Sequence, residues 1–250
     1  MTKMVLSVVI PAFNEALRLP STIHRLEQFA RTYRGSIELI VANDGSTDET
    51  ETLAQQAATG LPFRLINLPR NSGPGAAIKA GVLAACGQYI LICDADGPVP
   101  FMHIDRLERA LSHGAQVAFG SRQLSNSTSD YPQPLHRRLI GKIWTWLVQF
   151  VLSINVRDTQ CGFKLFTRES AQRIFSLTKE SNFAIHVETV VLAQRLGYKV
   201  KEIPVHWDDA PGSKINLIRD SSSMFLALFR IRRNYQSMEP NHFQEPRHDF

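Results

Sequence analysis

The chain is short of cysteine, of long apolar runs and of blocks of like charge, and each shortage removes a class of protein. Its three cysteines, Cys86, Cys93 and Cys161, have no CxxC spacing, which argues against a disulfide scaffold and for a reducing, cytoplasmic setting. The opening MTKMVLSVVIPAFNE holds too short an apolar run for a signal peptide. The longest membrane candidate, 139–156, is interrupted by Lys142, Gln149 and Asn155, so nothing reaches the ~18 uncharged apolar residues of a span, and no integral anchor is expected. With 14 Gly and 13 Pro in 250 residues, 44% hydrophobic and 20% charged, the chain is neither disordered nor collagen-like. The net charge of +5 favours anionic partners such as phosphates or acidic lipids, yet the dense basic runs of a nucleic-acid binder are missing.

What is present is a βαβ rhythm. Apolar strand-like runs at 4–10, 37–42, 63–68, 89–94 and 116–120 alternate with helix-length segments at 20–34, 47–58, 74–85 and 101–113. Near-continuous apolar strands suit an α/β fold, a mostly parallel central sheet with helices on both faces and ligands bound at the strand C-termini. After Arg122 a polar loop, 123–134, leads into an apolar helix beginning near His136. Beyond it are expected a strand at 163–166, helices at 168–176 and 184–196, a strand at 199–206 and a helix at 217–234. Residues 236–250 lack periodicity and read as a flexible tail. No repeat or linker divides the rest, so a single domain over 1–235 is expected, with a nucleotide half to about 120 and an acceptor half from about 121.

The strongest local signal is Asp94-Ala95-Asp96-Gly97 after an apolar strand. In extended chain residues i and i+2 face one side, which would bring both carboxylates together around a cation, with oxygen ligands suiting Mg²⁺ or Mn²⁺. The alternative is a solvated turn. Three more strand ends supply polar groups to the same edge: Pro11 to Glu15, Asn43 to Ser46 and Asn71 to Gly75. Pro11 should take the chain out of the sheet, and Phe13 either stacks on a base or fills the core. Asp44 can accept from a base or ribose, Ser46 or Thr47 can cap the next helix, and Gly73 and Gly75 either let backbone N–H groups approach an anion or belong to an ordinary helix start with no ligand.

The ordered set IPAFNE (10–15), NDGSTD (43–48), NSGPGAA (71–77) and DADG (94–97) resembles the family-2 inverting glycosyltransferases of GT-A fold. Downstream, GSR (120–122), DTQCGFK (158–164), HVETVVLAQRLGYKVKEIPVHW (186–207) and GSK (212–214) make the chain similar to the polyprenyl-phosphate sugar synthases, the group of dolichyl-phosphate glucose and mannose synthases. The resemblance covers about 4–234. It implies that Pro11, Ala12, Phe13, Glu15, Asp44, Asp94, Ala95 and Asp96 hold the nucleotide-sugar donor, that Asp94 and Asp96 bind the metal, and that Gln160 adds a contact to metal or diphosphate. It further implies that Asp96 and Asp158 are catalytic, that Arg122 with Arg137 or Arg138 meets the acceptor phosphate, and that Ser213 and Lys214 lie on a loop closing over the site. Glu188 matches a family acid without an assignable role. Two departures are Asn43, where an Asp is common, and Pro74, where many relatives carry Lys.

The implied reaction transfers a sugar to a polyprenyl or dolichyl phosphate, glucose from UDP-glucose being preferred to mannose from GDP-mannose on the likeness of DADG-PVPF and DTQCGFKLF to the glucose synthases. A lipid acceptor implies a peripheral enzyme on the cytoplasmic face of a membrane. The stretch 139–156, with Trp144, Trp146 and Phe150, is either an interfacial or a core-packing helix, and Phe225 and Phe229 beside Arg230, Arg232 and Arg233 pose the same choice. Competing readings are an aspartyl-phosphate phosphatase, with Asp94 as nucleophile and Asp208-Asp209 completing a metal site, and a non-catalytic nucleotide-sugar-binding module. The first ranks lower because its motif should open the domain, whereas here it lies on the fourth strand. A dinucleotide dehydrogenase ranks lower still, since Ile78 stands where Gly or Ala is expected.

Overall fold

The structure is a computed structural model that describes residues 5–130, 135–208 and 217–238. The strands are β1 (Leu6–Ala12), β2 (Ile37–Asn43), β3 (Phe63–Asn67), β4 (Tyr89–Ile92), β5 (Val117–Ser121), β6 (Lys164–Thr167) and β7 (Val200–Pro204). The helices are α1 (Leu19–Ala30), α2 (Thr50–Ala57), α3 (Pro74–Ala84), α4 (Ile104–Ser112), α5 (Leu135–Leu152), α6 (Arg168–Leu177), α7 (Ile185–Arg195) and α8 (Leu217–Tyr235). The strands form one sheet in the order β3-β2-β1-β4-β6-β5-β7. All its pairings are parallel except those of β6, which runs antiparallel between β4 and β5.

Alternation along the strands builds two cores. Leu6, Val8 and Ile10 of β1 join Leu39, Val41 and Leu91 beneath α1 and α4. Val9, Ile40, Ile92, Phe119 and Phe166 face α3, α5, α6, α7 and α8 on the other side. Burial on both faces explains why these strands read as unbroken apolar runs.

Pro11 does not end β1, contrary to expectation. Val9 O accepts from Cys93 N and Ala12 O from Asp44 N, so alternate residues face β4 and β2, and Pro11 faces β4. The β4 ladder stops at Val9↔Ile92, and the N–H that proline lacks would have had no strand partner. Chain order reverses between β1 and β4, which opens a crevice at their C-terminal ends.

The fit of α3 onto β1 depends on Gly81, where a Cβ would stand 2.4 Å from Val9 Cγ1. Gly81→Val is expected to cost about 2 kcal/mol or more through overpacking, read as a fall of several degrees in the thermal midpoint.

Candidate active site

The loop after β1, on one flank of the crevice, is stitched to the loop after its neighbour β2. Asn14 N donates to Ser46 Oγ at 2.9 Å, Thr47 N to Asn14 Oδ1 at 2.8 Å, and Glu15 N to Thr50 Oγ1 at 2.7 Å. Ser46 therefore ties the β1 and β2 loops and does not cap α2, which starts four residues later at Thr50. Phe13 is 36% exposed, so of its two readings core filling is excluded.

Asp44 is buried, and its carboxylate accepts from Ser72 N at 2.7 Å and Gly73 N at 2.8 Å. Gly75 N donates to Ser181 O at 2.7 Å. The N–H groups of Gly73 and Gly75 are thus engaged inside the protein, Gly73 on a carboxylate of the chain itself, and of the two readings the helix start without a ligand on these groups holds. These glycines are needed for closeness, since a Cβ would lie 2.3 Å from Ser181 O at Gly73 and 2.5 Å from Glu180 O at Gly75.

The two acids after β4 are also placed otherwise than expected. The strand ends at Ile92, and Asp94 to Gly97 form a turn in which Gly97, at φ 52°, donates its N–H to Asp94 O. A turn, and not strand alternation, presents the pair. Asp94 lies against Gly162, where a Cβ would come within 2.2 Å of its Oδ2. Burial, then the charge of Asp96, push the Asp94 carboxyl up to about 6, with Arg122 and Lys164 pulling it down. Asp96 accepts from Arg18 Nη1 at 3.2 Å, and the rest of that guanidinium grips Glu15 at 2.7 and 2.5 Å. Arg25 and Thr22 hold the turn by its Asp96 and Ala95 carbonyls. Two partly desolvated carboxylates, both raised above their ordinary value by burial, are oxygen ligands of the kind a hard divalent cation takes, and such a cation would relieve their mutual repulsion.

Asp158 anchors the other wall. Its carboxylate accepts from Arg122 N (2.9 Å), Nε (2.8 Å) and Nη2 (3.0 Å) and from Gln160 N (3.1 Å). Burial raises its carboxyl, but the charge and hydrogen bonds of Arg122 outweigh that and leave it at about 2. So acidic and so fully bonded a group is a poor base and a good orienter. Arg122 also lies over the Trp207 ring at 5.7 Å. Beneath them Lys164 is fully buried, donates to Thr159 O at 3.0 Å and sits 4.2 Å from the Phe119 ring centroid. Burial lowers its ammonium to about 8. His186 is buried beside this group and held neutral by burial and by the nearby cations.

Among the described residues, Gln160 Nε2 and Ser121 Oγ are buried without a hydrogen-bond partner. The amide of Gln160 offers a nitrogen that can donate to phosphoryl oxygen and an oxygen that can ligate a metal, so both of its expected contacts stay open. Arg137 and Arg138 lie in the first turn of α5, and Ser213 and Lys214 fall outside the described residues. Asp208 joins a different acidic group, with ligand atoms of Asp130, His206 and Asp208 within 4.8 Å of one another. Asp208 N donates to Pro98 O, which sets that group beside the Asp94 turn. Sequence reasoning missed Arg18, Lys164 and Gly162. The last two stand inside DTQCGFK, where a lysine and a glycine in a polar motif were the available signal.

Comparison with known proteins agrees with this geometry. The model of glycosyl transferase family 2 matches residues 7–175. The dolichyl-phosphate beta-glucosyltransferase of Dictyostelium discoideum is 35% identical over 243 residues, covering 92% of this chain and 74% of that protein. The proteins of the same name from Homo sapiens (36% over 224 residues; 84% and 69%) and Saccharomyces cerevisiae (33% over 250 residues; 92% and 75%) are comparably similar. Among solved structures, the glucosyl-3-phosphoglycerate synthase of Mycobacterium tuberculosis in complex with Mn²⁺, UDP and phosphoglyceric acid superposes with a TM-score of 0.67. It is 21% identical and covers 95% of this chain and 80% of its own. The fold is accordingly that of the GT-A glycosyltransferases, and the chain belongs to glycosyl transferase family 2.

Asp158→Asn leaves Arg122 without its counter-charge and is expected to cost about 3 kcal/mol. A native carboxyl below its ordinary 3.8 stabilises the fold above that pH and loses the effect as pH falls towards about 2. The wild type should shed about 2 kcal/mol across that window, and the variant little, in acid unfolding followed by circular dichroism. Gly162→Ala should displace Asp94, reducing transfer at least ~10-fold and lowering the thermal midpoint by overpacking as at Gly81.

Proposed function

We propose that the protein is an inverting glycosyltransferase that moves glucose from UDP-glucose to a polyprenyl or dolichyl phosphate. The observation that carries the reading is the convergence of the Asp94/Asp96 turn, which rests on Gly162, with an Arg122 guanidinium locked onto Asp158. The names of the 33–36% identical relatives support the sugar and the acceptor. The donor diphosphate is assigned to the Asp94 and Asp96 side, with the base or ribose near Phe13 and Asp44, Glu15 held in place by Arg18, and Ala95 fixing the turn. When bound there, Mg²⁺ or Mn²⁺ supplies charge stabilisation for the leaving diphosphate.

The acceptor brings its own nucleophile. A phosphate monoester has a second pKa of about 6, so at neutral pH its oxygen is already ionised and the protein has little proton to remove. That oxygen bonds to the anomeric carbon as the bond from this carbon to the diphosphate breaks, with inversion, and the nucleoside diphosphate departs. Arg122 offers the acceptor phosphate a fixed positive charge, whose orientation costs nothing at the moment of reaction because Asp158 and Trp207 already hold it. Arg137, Arg138, Ser213 and Lys214 are assigned to the same phosphate. Asp158 is then a positioning residue.

The lipid must be met at a surface. On α5, Val148, Val151 and Leu152 are buried, while Leu139, Ile140, Ile143, Trp146 and Phe150 are exposed along the opposite face. On α8, Leu228 and Ile231 are buried and Phe225, Leu226 and Phe229 are exposed. Each helix thus serves the core with one side and offers an apolar stripe with the other, and the two pack together. No described helix is long and apolar enough to cross a membrane. We assign this paired face to peripheral contact with the cytoplasmic leaflet.

The decisive assay is transfer of radiolabelled sugar from UDP-glucose and, separately, GDP-mannose to a short polyprenyl phosphate with Mg²⁺ or Mn²⁺. Metal-dependent labelling from UDP-glucose, reduced about 100-fold or more by Asp96→Ala, is expected; labelling from GDP-mannose alone would replace the donor, and release of inorganic phosphate would revive the phosphatase. Flotation with anionic liposomes at low salt is expected for the wild type and should be lost in Trp146→Asp/Phe150→Asp.

A further inference from the structure

Glu188 lies fully buried on the first turn of α7. A buried carboxylate is costly unless hydrogen bonds satisfy it, and here the donors come from two distant segments. Oε1 accepts from Lys179 N at 2.9 Å and from Tyr235 Oη at 2.6 Å, and Oε2 accepts from Glu180 N at 2.9 Å. Glu188 therefore shapes the segment 178–182 between α6 and α7 and fastens the end of α8 to it.

That segment is the support on which the β3–α3 turn rests. Ser181 O accepts from Gly75 N, Thr178 O accepts from Lys79 Nζ at 2.8 Å, and the carbonyls of Glu180 and Ser181 fill the space that side chains at Gly73 and Gly75 would need. The same turn delivers Ser72 N and Gly73 N to Asp44. On its outer side the segment is gripped by α8, since Arg230 donates to both Glu180 oxygens at 2.9 and 2.6 Å and Asn182 Nδ2 donates to Ser223 Oγ at 3.0 Å.

We propose that Glu188 is a positioning residue for the donor: through 179–181 it fixes the 71–75 turn and hence Asp44, and through Tyr235 and Glu180–Arg230 it makes that setting depend on how α8 is seated. The proposal rests on the reading that Asp44 faces the nucleotide. The loss should fall on donor binding, because neither the Asp94 turn nor Arg122 touches this chain of contacts.

The test compares the wild-type chain with Glu188→Gln and Tyr235→Phe by three measurements: hydrogen exchange of the amides of 71, 72, 73 and 75, calorimetric binding of UDP with Mn²⁺, and separate KM values for donor and acceptor. The amide introduced by Glu188→Gln would turn an N–H₂ towards a backbone donor, so exchange should quicken, and UDP affinity and donor KM should each worsen about 10-fold, equivalent to one lost hydrogen bond. The kcat and the acceptor KM should stay within about threefold. Tyr235→Phe removes one donor of three and should shift the same quantities less, and it carries the test if Glu188→Gln does not fold. Unchanged exchange at 71–75 with unchanged donor KM overturns the proposal, as does an equal loss in kcat and both KM values. Faster exchange in a protein whose wild type binds no UDP upholds the mechanical link and overturns the nucleotide reading instead.

Discussion

A parallel sheet satisfies its backbone along the strands and abandons it where the strands stop. The chain there turns away with N–H groups that the sheet no longer serves, and a buried donor left unserved costs about 1–3 kcal/mol. This molecule meets the constraint with carboxylates. Asp44 takes the amides of 72 and 73, Asp158 those of 122 and 160, Glu188 those of 179 and 180, and Glu202 those of 157 and 158. Each acid belongs to one loop or element and binds the backbone of another, Asp158 also taking the amide of 160 in its own loop, so the loops above the sheet hold one another in place.

This division of labour separates acids that build the site from acids left for chemistry. Asp158 is saturated by the protein's own donors, and Asp44 takes one backbone amide on each oxygen, whereas Asp94 is pressed against Gly162 and carries a raised carboxyl. The cations are divided in the same way. Lys164 is buried as a fixed counter-charge, and Arg18 bridges its near neighbour Glu15 and Asp96, 78 residues further along the sequence. The site is thus close to charge balance before any ligand arrives, and what a ligand meets is a set of charges already aimed.

Much of this could be read from the residues. Apolar runs marked the strands because both sheet faces are covered, and glycine and polar clusters marked the loops at their ends. The resemblance of four ordered motifs placed the family. Other features were not legible, for physical reasons. Nothing in KLFT indicates that β6 runs against its neighbours, because strand direction is set by connection and packing and not by composition. Pro11 looked like a strand end because its missing N–H could be seen and the early stop of β4 beside it could not. The glycines at 73 and 75 suggested an open anion cradle, yet they are explained by the carbonyls of 180 and 181, far along the chain. Arg18 was invisible as a site residue for the same reason: an i,i+3 pair with Glu15 on a helix start is ordinary, and only the fold brings Asp96 to its other edge.

The antiparallel strand β6 has a consequence for the protein as a piece of engineering. It arises late in the chain, yet it is threaded between β4 and β5, which arise early, and the Gly162 just before it is the surface on which Asp94 rests. A chimera that joined the chain of one relative up to β5 to the remainder of another would therefore not exchange two modules at a hinge. It would cut through the middle of one sheet and place the acid of one parent against the glycine and lysine of the other. A junction that leaves β4, β5 and β6 to one parent keeps that acid, glycine and lysine together.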